Sequence, residues 1–397
     1  MESVDTSSER TRRRWLSIGL TGLLLLVIAA CTPALSAPGD TSKVQLVSTS
    51  TVNGWRYDFY RNVSYPCSIS GHQTFTIATK VGSSPTATKP LWVFLHGGGY
   101  GFFAANGTPV PDTNNLTEET ASRQRSSLAG SDDLFERVRA DAAGFRLMAV
   151  SYCNRDLYSG AKQTDPNNPN TNADGSAKTT NGLLANKAAI QYAEATFPTS
   201  TYFLHGGSAG SAGSYYNAWA LQKQGIPPAG VVGDASVVNK AGGSAGFDQG
   251  ACTSSYNPIG QAAIEQRVHP DIAKEENEVD RLVARGDLTV PLLHLWNIGD
   301  KQSCGNVQMQ CPLRDGTTVT LGNTDCLHRP LRDAITAQGP SSRSLNMRLC
   351  VLDAATPNVP CGKHVVTTGG PLTNTDPAWP SDFLAPVMDW VHARLAD

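Results

Sequence analysis

The sequence predicts an α/β fold: a mostly parallel central sheet with helices on both faces and loop insertions over one rim. Three observations predict it. Apolar runs at residues 91–95 (LWVFL), 145–152 (FRLMAVSY) and 290–296 (VPLLHLW) have the character of strands buried on both faces. Between them lie stretches with apolar residues at helical spacing, such as Leu183, Ile190, Ala193 and Phe197. The runs stop in loops rich in glycine, asparagine and aspartate, so polar side chains collect where strands end.

In chain order, residues 44–79 alternate roughly and are rich in Val, Thr, Tyr and Phe, which predicts an antiparallel meander opening the sheet. The buried strand at 91–95 runs into the loop HGGGYG, followed by a polar surface excursion over 106–128 and a short helix over 132–142. A strand at 145–152 ends at CNRDLYSG, and residues 163–180 read as a mobile Asn/Asp/Pro/Gly segment. A helix over 183–197 leads to the strand TYFLH, the turn Gly206-Gly207-Ser208-Ala209-Gly210 and a second helix. Residues 230–234 read as a strand, 239–260 as a Gly/Ser-rich loop over the site, 271–285 as one amphipathic helix and 290–296 as a strand ending at NIGD. A helix over 327–338, a strand over 345–353, the loop CGKH and a helix over 381–395 complete the pattern.

Composition narrows the function classes. The chain has 397 residues, 40% hydrophobic and 17% charged, with a formal net charge of −2, so there is no basic excess to hold nucleic acid. Residues 1–31 read as an export signal: Arg12-Arg13-Arg14 precede a short apolar run, and Ile28-Ala29-Ala30-Cys31 has the form of a lipobox. Residues 32–42 then form a flexible tether and 43–397 a single catalytic domain. The expected location is the cell surface, with a lipid on Cys31 as the only membrane contact; cleavage near Ala34 or Ala37 would instead give a soluble secreted protein. Eight further cysteines suit disulfides in an exported chain, and short separations admit Cys304 with Cys311 and Cys350 with Cys361. No metal or cofactor motif is present, so neither is expected.

The turn at Ser208 has the G-x-S-x-G form, in which a serine is lifted onto a sharp strand-to-helix turn. Ser208, Asp300 and His364 follow the α/β-hydrolase order of nucleophile, acid and base, each after a strand. The serine would attack a carbonyl carbon, the histidine move its proton, and the aspartate orient the imidazole. Backbone N–H groups of Gly98, Gly99 and Ala209 are the candidates for stabilising the oxyanion, and Tyr100 and Phe102 for lining the substrate pocket. Asp234 remains an alternative acid and His328 an alternative base; His96 and His205 read as packing residues.

HGGGYGFF, SYCNRDLYSG, HGGSAGS, NIGDKQS and CGKH, in this order, resemble the corresponding segments of the pectin acetylesterase/Notum family of serine carboxylesterases. Gly207, Ser211 and Tyr100-Gly101 depart from that family's usual residues. The resemblance implies an α/β-hydrolase fold, hydrolysis of an acetyl or fatty acyl ester, and catalytic roles for Ser208, Asp300 and His364. The expected substrate is a carbohydrate or small-molecule ester. A catalytically silent binding protein, or a peptidase or lipase of the same fold, is the alternative.

Overall fold

The computed structural model describes residues 32–84, 86–112, 115–252, 258–352, 358–370 and 372–397. The export signal expected at residues 1–31 lies outside them. Among the described residues, nine strands make the main sheet: β1 (Val44–Val52), β2 (Trp55–Pro66), β3 (His72–Lys80), β4 (Lys89–Leu95), β5 (Arg146–Val150), β6 (Thr199–Gly207), β7 (Gly230–Asp234), β8 (Leu292–Asn297) and β9 (Leu345–Leu349). Their spatial order is β1-β2-β3-β5-β4-β6-β7-β8-β9. The first three strands pair antiparallel, as does β3 with β5, and every later pair is parallel. This is the α/β-hydrolase fold.

Side chains along the central strands alternate between two cores, as a period of two requires. In β4, Leu91, Val93 and Leu95 pack on one face and Trp92 and Phe94 on the other. The first face is covered by α3 (Gly182–Thr196), α4 (Ala209–Lys223), α8 (Val279–Ala284) and α9 (Asn323–Gln338). The second is covered by α1 (Ala121–Leu128), α2 (Leu134–Ala140) and α10 (Leu384–Leu395). The chain leaves β4 toward β5 on one side and returns to β6 on the other, so the order reverses between β4 and β6. At such a switch point the carboxyl ends of neighbouring strands part and leave a crevice.

Several expectations are corrected. The stretch 106–128 is not a surface excursion throughout: it contains α1, and Glu119 and Gln124 point inward and are buried. The segment 163–180 is tied down by an ion pair between Asp165 and Arg267 at 2.6 Å, with both side chains fully buried. Within 239–260, the Asn239 side chain accepts from Gly242 N and caps a helix, α5 (Lys240–Asp248), where glycine content suggested a loop. The single helix expected over 271–285 is broken into α7 (Pro270–Ala273), a 3-10 turn (Glu275–Asn277) and α8. Extended backbone at Lys274 and Glu278 causes the breaks, and the buried Glu278 is held by Arg314 and by the Lys240 amide. The stretch expected as a free tether carries anchored residues: the Lys187 ammonium donates to the carbonyls of Leu35 and Ala37, and Tyr65 accepts from Asp40 N.

Four disulfides join Cys67–Cys153, Cys252–Cys304, Cys311–Cys326 and Cys350–Cys361. Cys304 and Cys311 do not pair with each other. Cys311 sits on the hairpin Gln308–Pro312/Thr318–Gly322, whose buried side faces Cys326 on α9. Cys304, in the left-handed conformation after a 3-10 turn, reaches Cys252 beyond α5 instead.

Candidate active site

Strand β6 ends at Gly207 and α4 begins at Ala209, leaving Ser208 between them at φ 55°, ψ −126°. A non-glycine residue held there stores roughly 1–3 kcal/mol, which the surrounding packing must offset. The turn is made so tight that a Cβ on Gly210 would lie 1.8 Å from the Leu95 carbonyl oxygen. Any side chain at 210 would therefore push α4 off β4. Ser208 N donates to Asp234 O at 2.9 Å, which fixes the turn against β7. Ala209, first in α4, lines the crevice at the positive end of the helix, where an amide has no intrahelical acceptor.

Three residues far apart in sequence form one hydrogen-bonded line. His364 Nε2 lies 2.8 Å from Ser208 Oγ, and His364 Nδ1 lies 2.7 Å from Asp300 Oδ2. An ionised carboxylate only accepts, so Nδ1 carries the proton and the neutral ring offers Nε2 as acceptor to the serine hydroxyl. Asp300 is 1% exposed and is oriented by Gln302 N donating to Oδ1 at 2.8 Å and Ser303 Oγ donating to Oδ2 at 3.0 Å. The imidazole itself is 23% exposed, open enough to meet a substrate.

Asp234, the alternative acid, does other work. Its Oδ2 accepts from Thr367 N at 2.7 Å and from Thr367 Oγ at 2.6 Å, three residues beyond His364, so it holds the loop rather than the ring. Burial pushes its carboxyl up to about 6, against the lowering effect of the Thr367 hydroxyl. His205 completes this support. Burial pushes it down to about 3, and Trp92 Nε1 donates to its Nδ1, so its Nε2–H donates to Thr367 Oγ at 2.9 Å. The Cys350–Cys361 bridge and Asn297 Nδ2, which donates to Lys363 O, close the loop from its other end.

The glycine loop after β4 lies directly against the elbow: a Cβ on Gly97 would stand 2.7 Å from Ser208 Cβ. Arg155 clamps this loop by donating to Gly98 O, and Gly101 N donates back to Arg155 O at 3.1 Å. His96 sits between Gly97 O, 2.6 Å from Nδ1, and Glu119 Oε1, 2.9 Å from Nε2. Burial pushes the Glu119 carboxyl up, but His96 and the Tyr152 amide outweigh it and hold Glu119 below its ordinary range. Gly98, Gly99, Ala209, Tyr100, Phe102, Ser208 and His364 all line one cavity of about 840 Å³, whose walls beyond Ser208 include Leu157, Tyr216, Val237 and Ile264. Asp300 lies behind the imidazole.

His328, the alternative base, is buried within α9 and bonded through Nδ1 to His294; it lines the same cavity, but the imidazole bonded to Ser208 Oγ is that of His364. Sequence reasoning missed Glu119, His294 and Tyr215, because none lies in a motif and each acquires its neighbour only through the fold. It also missed Arg267, which is buried and donates to Asp165, Asn154 O and Gly101 O, joining three loops around the site. Among the described residues, no group of three or more His, Cys, Asp or Glu is placed to hold a metal ion, and no helix is long and apolar enough to cross a membrane.

No family model matches the sequence, and no curated protein matches it. Similar solved structures include the Wnt deacylase Notum from Drosophila, at 14% identity and TM-score 0.46, covering 89% of this chain and 94% of that one. A thermostable esterase from Pseudomonas putida ECU1011 shares 15% identity at TM-score 0.41, covering 98% and 97%. Brefeldin A esterase, a bacterial homologue of human hormone-sensitive lipase, shares 15% at TM-score 0.40, covering 100% and 85%. The fold assignment stands on strand order and crossovers, independently of these likenesses.

Proposed function

We propose that the protein is an exported serine ester hydrolase working through an acyl-enzyme. The observation that carries this reading is the line Ser208 Oγ, His364, Asp300, with hydrogen bonds of 2.8 and 2.7 Å. In the first half-reaction His364 Nε2 takes the proton as Ser208 Oγ attacks the ester carbonyl, and Asp300 stabilises the imidazolium. The amides of Gly98 or Gly99 and of Ala209 hold the carbonyl oxygen as it gains charge; one such donor contributes about 10²-fold or more in rate. His364 then protonates the departing alcohol, and water repeats the sequence on the acyl-serine.

The resemblance to pectin acetylesterases favours a short acyl group on a carbohydrate, and the apolar walls of an 840 Å³ cavity extend the range to longer acyl chains. Four disulfides suit an oxidising compartment, in keeping with export and a lipid on Cys31. The test compares p-nitrophenyl acetate, butyrate and octanoate and acetylated pectin with wild type and Ser208→Ala, alongside fluorophosphonate labelling. Wild-type turnover and labelling should both vanish in the variant, with its circular dichroism unchanged. Turnover surviving in Ser208→Ala would remove the serine from the mechanism, and a wild type inert to every ester and to the probe would leave a silent binding protein.

A further inference from the structure

A second hydrogen-bonded line ends at the cavity wall and takes no part in the steps above. Tyr215 Oη on α4 lies 2.7 Å from His294 Nδ1 on β8, and His294 Nε2 lies 3.1 Å from His328 Nδ1 on α9. Tyr215 and His294 are fully buried and His328 is 1% exposed. The His328 ring lines the cavity and stacks on Trp296, with centroids 5.5 Å apart and planes within 8°. Trp296 is itself fixed by donating Nε1–H to Asp325 at 3.0 Å, so the imidazole is held flat against a rigid surface.

Counting donors limits the proton order along this line to two alternatives. A neutral imidazole has one N–H and one lone pair, and burial keeps both rings neutral: His328 is pushed down to about 4 and His294 well below its ordinary value. Burial raises the Tyr215 phenol and keeps it protonated. The Tyr215 oxygen can donate to His294 Nδ1 or accept from it and turn its proton to Ser211; with the O–H directed at His294 Nδ1, the order on which the proposal rests, the His294 proton sits on Nε2 and is donated to His328 Nδ1. The His328 proton must then sit on Nε2. That nitrogen has no hydrogen-bond partner among the described residues, and its ring forms part of a wall otherwise made largely of Leu157, Tyr216, Val237, Ile264 and Leu327. An N–H that opens on a cavity is paired by water when the site is empty, and a substrate oxygen can take that water's place.

We propose that His328 is a specificity-determining residue whose Nε2–H, set by Tyr215 and His294, donates a hydrogen bond to an oxygen on the acyl chain held in the cavity. The protein then prefers esters whose acyl chain carries a keto, hydroxy or ether oxygen over all-carbon chains of equal length. This rests on the esterase reading of Ser208.

The experiment measures kcat/KM for p-nitrophenyl hexanoate and for its 3-oxa, 4-oxo and 5-oxo counterparts, in wild type, His328→Phe and Tyr215→Phe. At one oxygen position or more, the ratio of oxygen-bearing to all-carbon substrate should fall about tenfold in His328→Phe, the scale on which a lost substrate hydrogen bond is read. Tyr215→Phe, which frees the proton order without touching the cavity wall residue, should lower the same ratio. A general loss of packing would move both substrates together and leave the ratio alone. Long-range ¹H–¹⁵N spectra of wild type labelled in histidine check the premise without any variant, and should show His328 protonated at Nε2 and not at Nδ1 between pH 6 and 8. A ratio unchanged in His328→Phe, or a proton on Nδ1, overturns the inference while leaving the esterase intact. Absence of wild-type hydrolysis of every ester overturns both.

Discussion

Replacing Asp300 by Asn tests the proposed mechanism at its most specific point. Asp300 Oδ1 accepts from Gln302 N and Oδ2 faces His364 Nδ1 at 2.7 Å. An asparagine keeps its carbonyl oxygen on the Gln302 amide, which leaves its NH₂ group toward the ring. Two donors cannot share that contact, so Nδ1 gives up its proton, Nε2 takes it, and Ser208 meets an N–H where it needs a lone pair. A wrong tautomer of this kind costs about 10⁴ in kcat, or about 5.4 kcal/mol of barrier at 1.36 kcal/mol per tenfold. Asp234→Asn is the matched control: it alters a carboxylate bonded to the Val366–Thr367 segment and not to the His364 ring, and kcat should fall less than about tenfold, since it shifts a loop and leaves the tautomer alone. The assay is p-nitrophenyl acetate turnover at pH 8, with circular dichroism confirming the fold of each variant. If Asp300→Asn stays within tenfold of wild type, or Asp234→Asn falls below it, the assignment of the acid is wrong.

Two further predictions concern stability. Arg267→Met leaves the fully buried Asp165 carboxylate unpaired and three loops unlinked, and should cost about 3–5 kcal/mol in urea unfolding followed by tryptophan fluorescence; a loss under about 1 kcal/mol would show that the pair contributes little. Asp234 carries a pH signature. Its folded value is raised from 3.8 to about 6, so the native state holds this proton more tightly than the unfolded chain, and the resulting stability is present below pH 3.8 and lost as pH rises through 6. About two units correspond to roughly 3 kcal/mol, so wild type should lose that much relative to Asp234→Asn between pH 4 and pH 7.5; parallel stability curves would refute it.

The parts of the site that were legible in the sequence are those that local geometry dictates. A serine between glycines after an apolar strand must form a sharp turn, and Asp300 and His364 stand where β8 and β9 give way to loops. Each could be placed at the carboxyl rim without knowing its neighbours. What holds them is different in kind. Glu119 sits in a polar stretch that reads as surface, and becomes buried only because β5 and the His96 loop close around it. Arg267 lies in no motif, and its role arises only when the fold brings Asp165 from 102 residues away. Periodicity likewise found α3 and β7 nearly residue for residue, but missed the breaks at Lys274 and Glu278, where a buried side-chain contact overrides helical propensity.

The outermost strand β1 has a solubility consequence. Its outer edge, unpaired among the described residues, is rich in serine and threonine, mostly solvated, and its register slips at a bulge between Leu46 and Ser48. A kinked, hydroxyl-rich border is a poor template for a tenth strand from another copy, so sheet growth by concatenation is discouraged although Leu46, Val47 and Val52 stand in water.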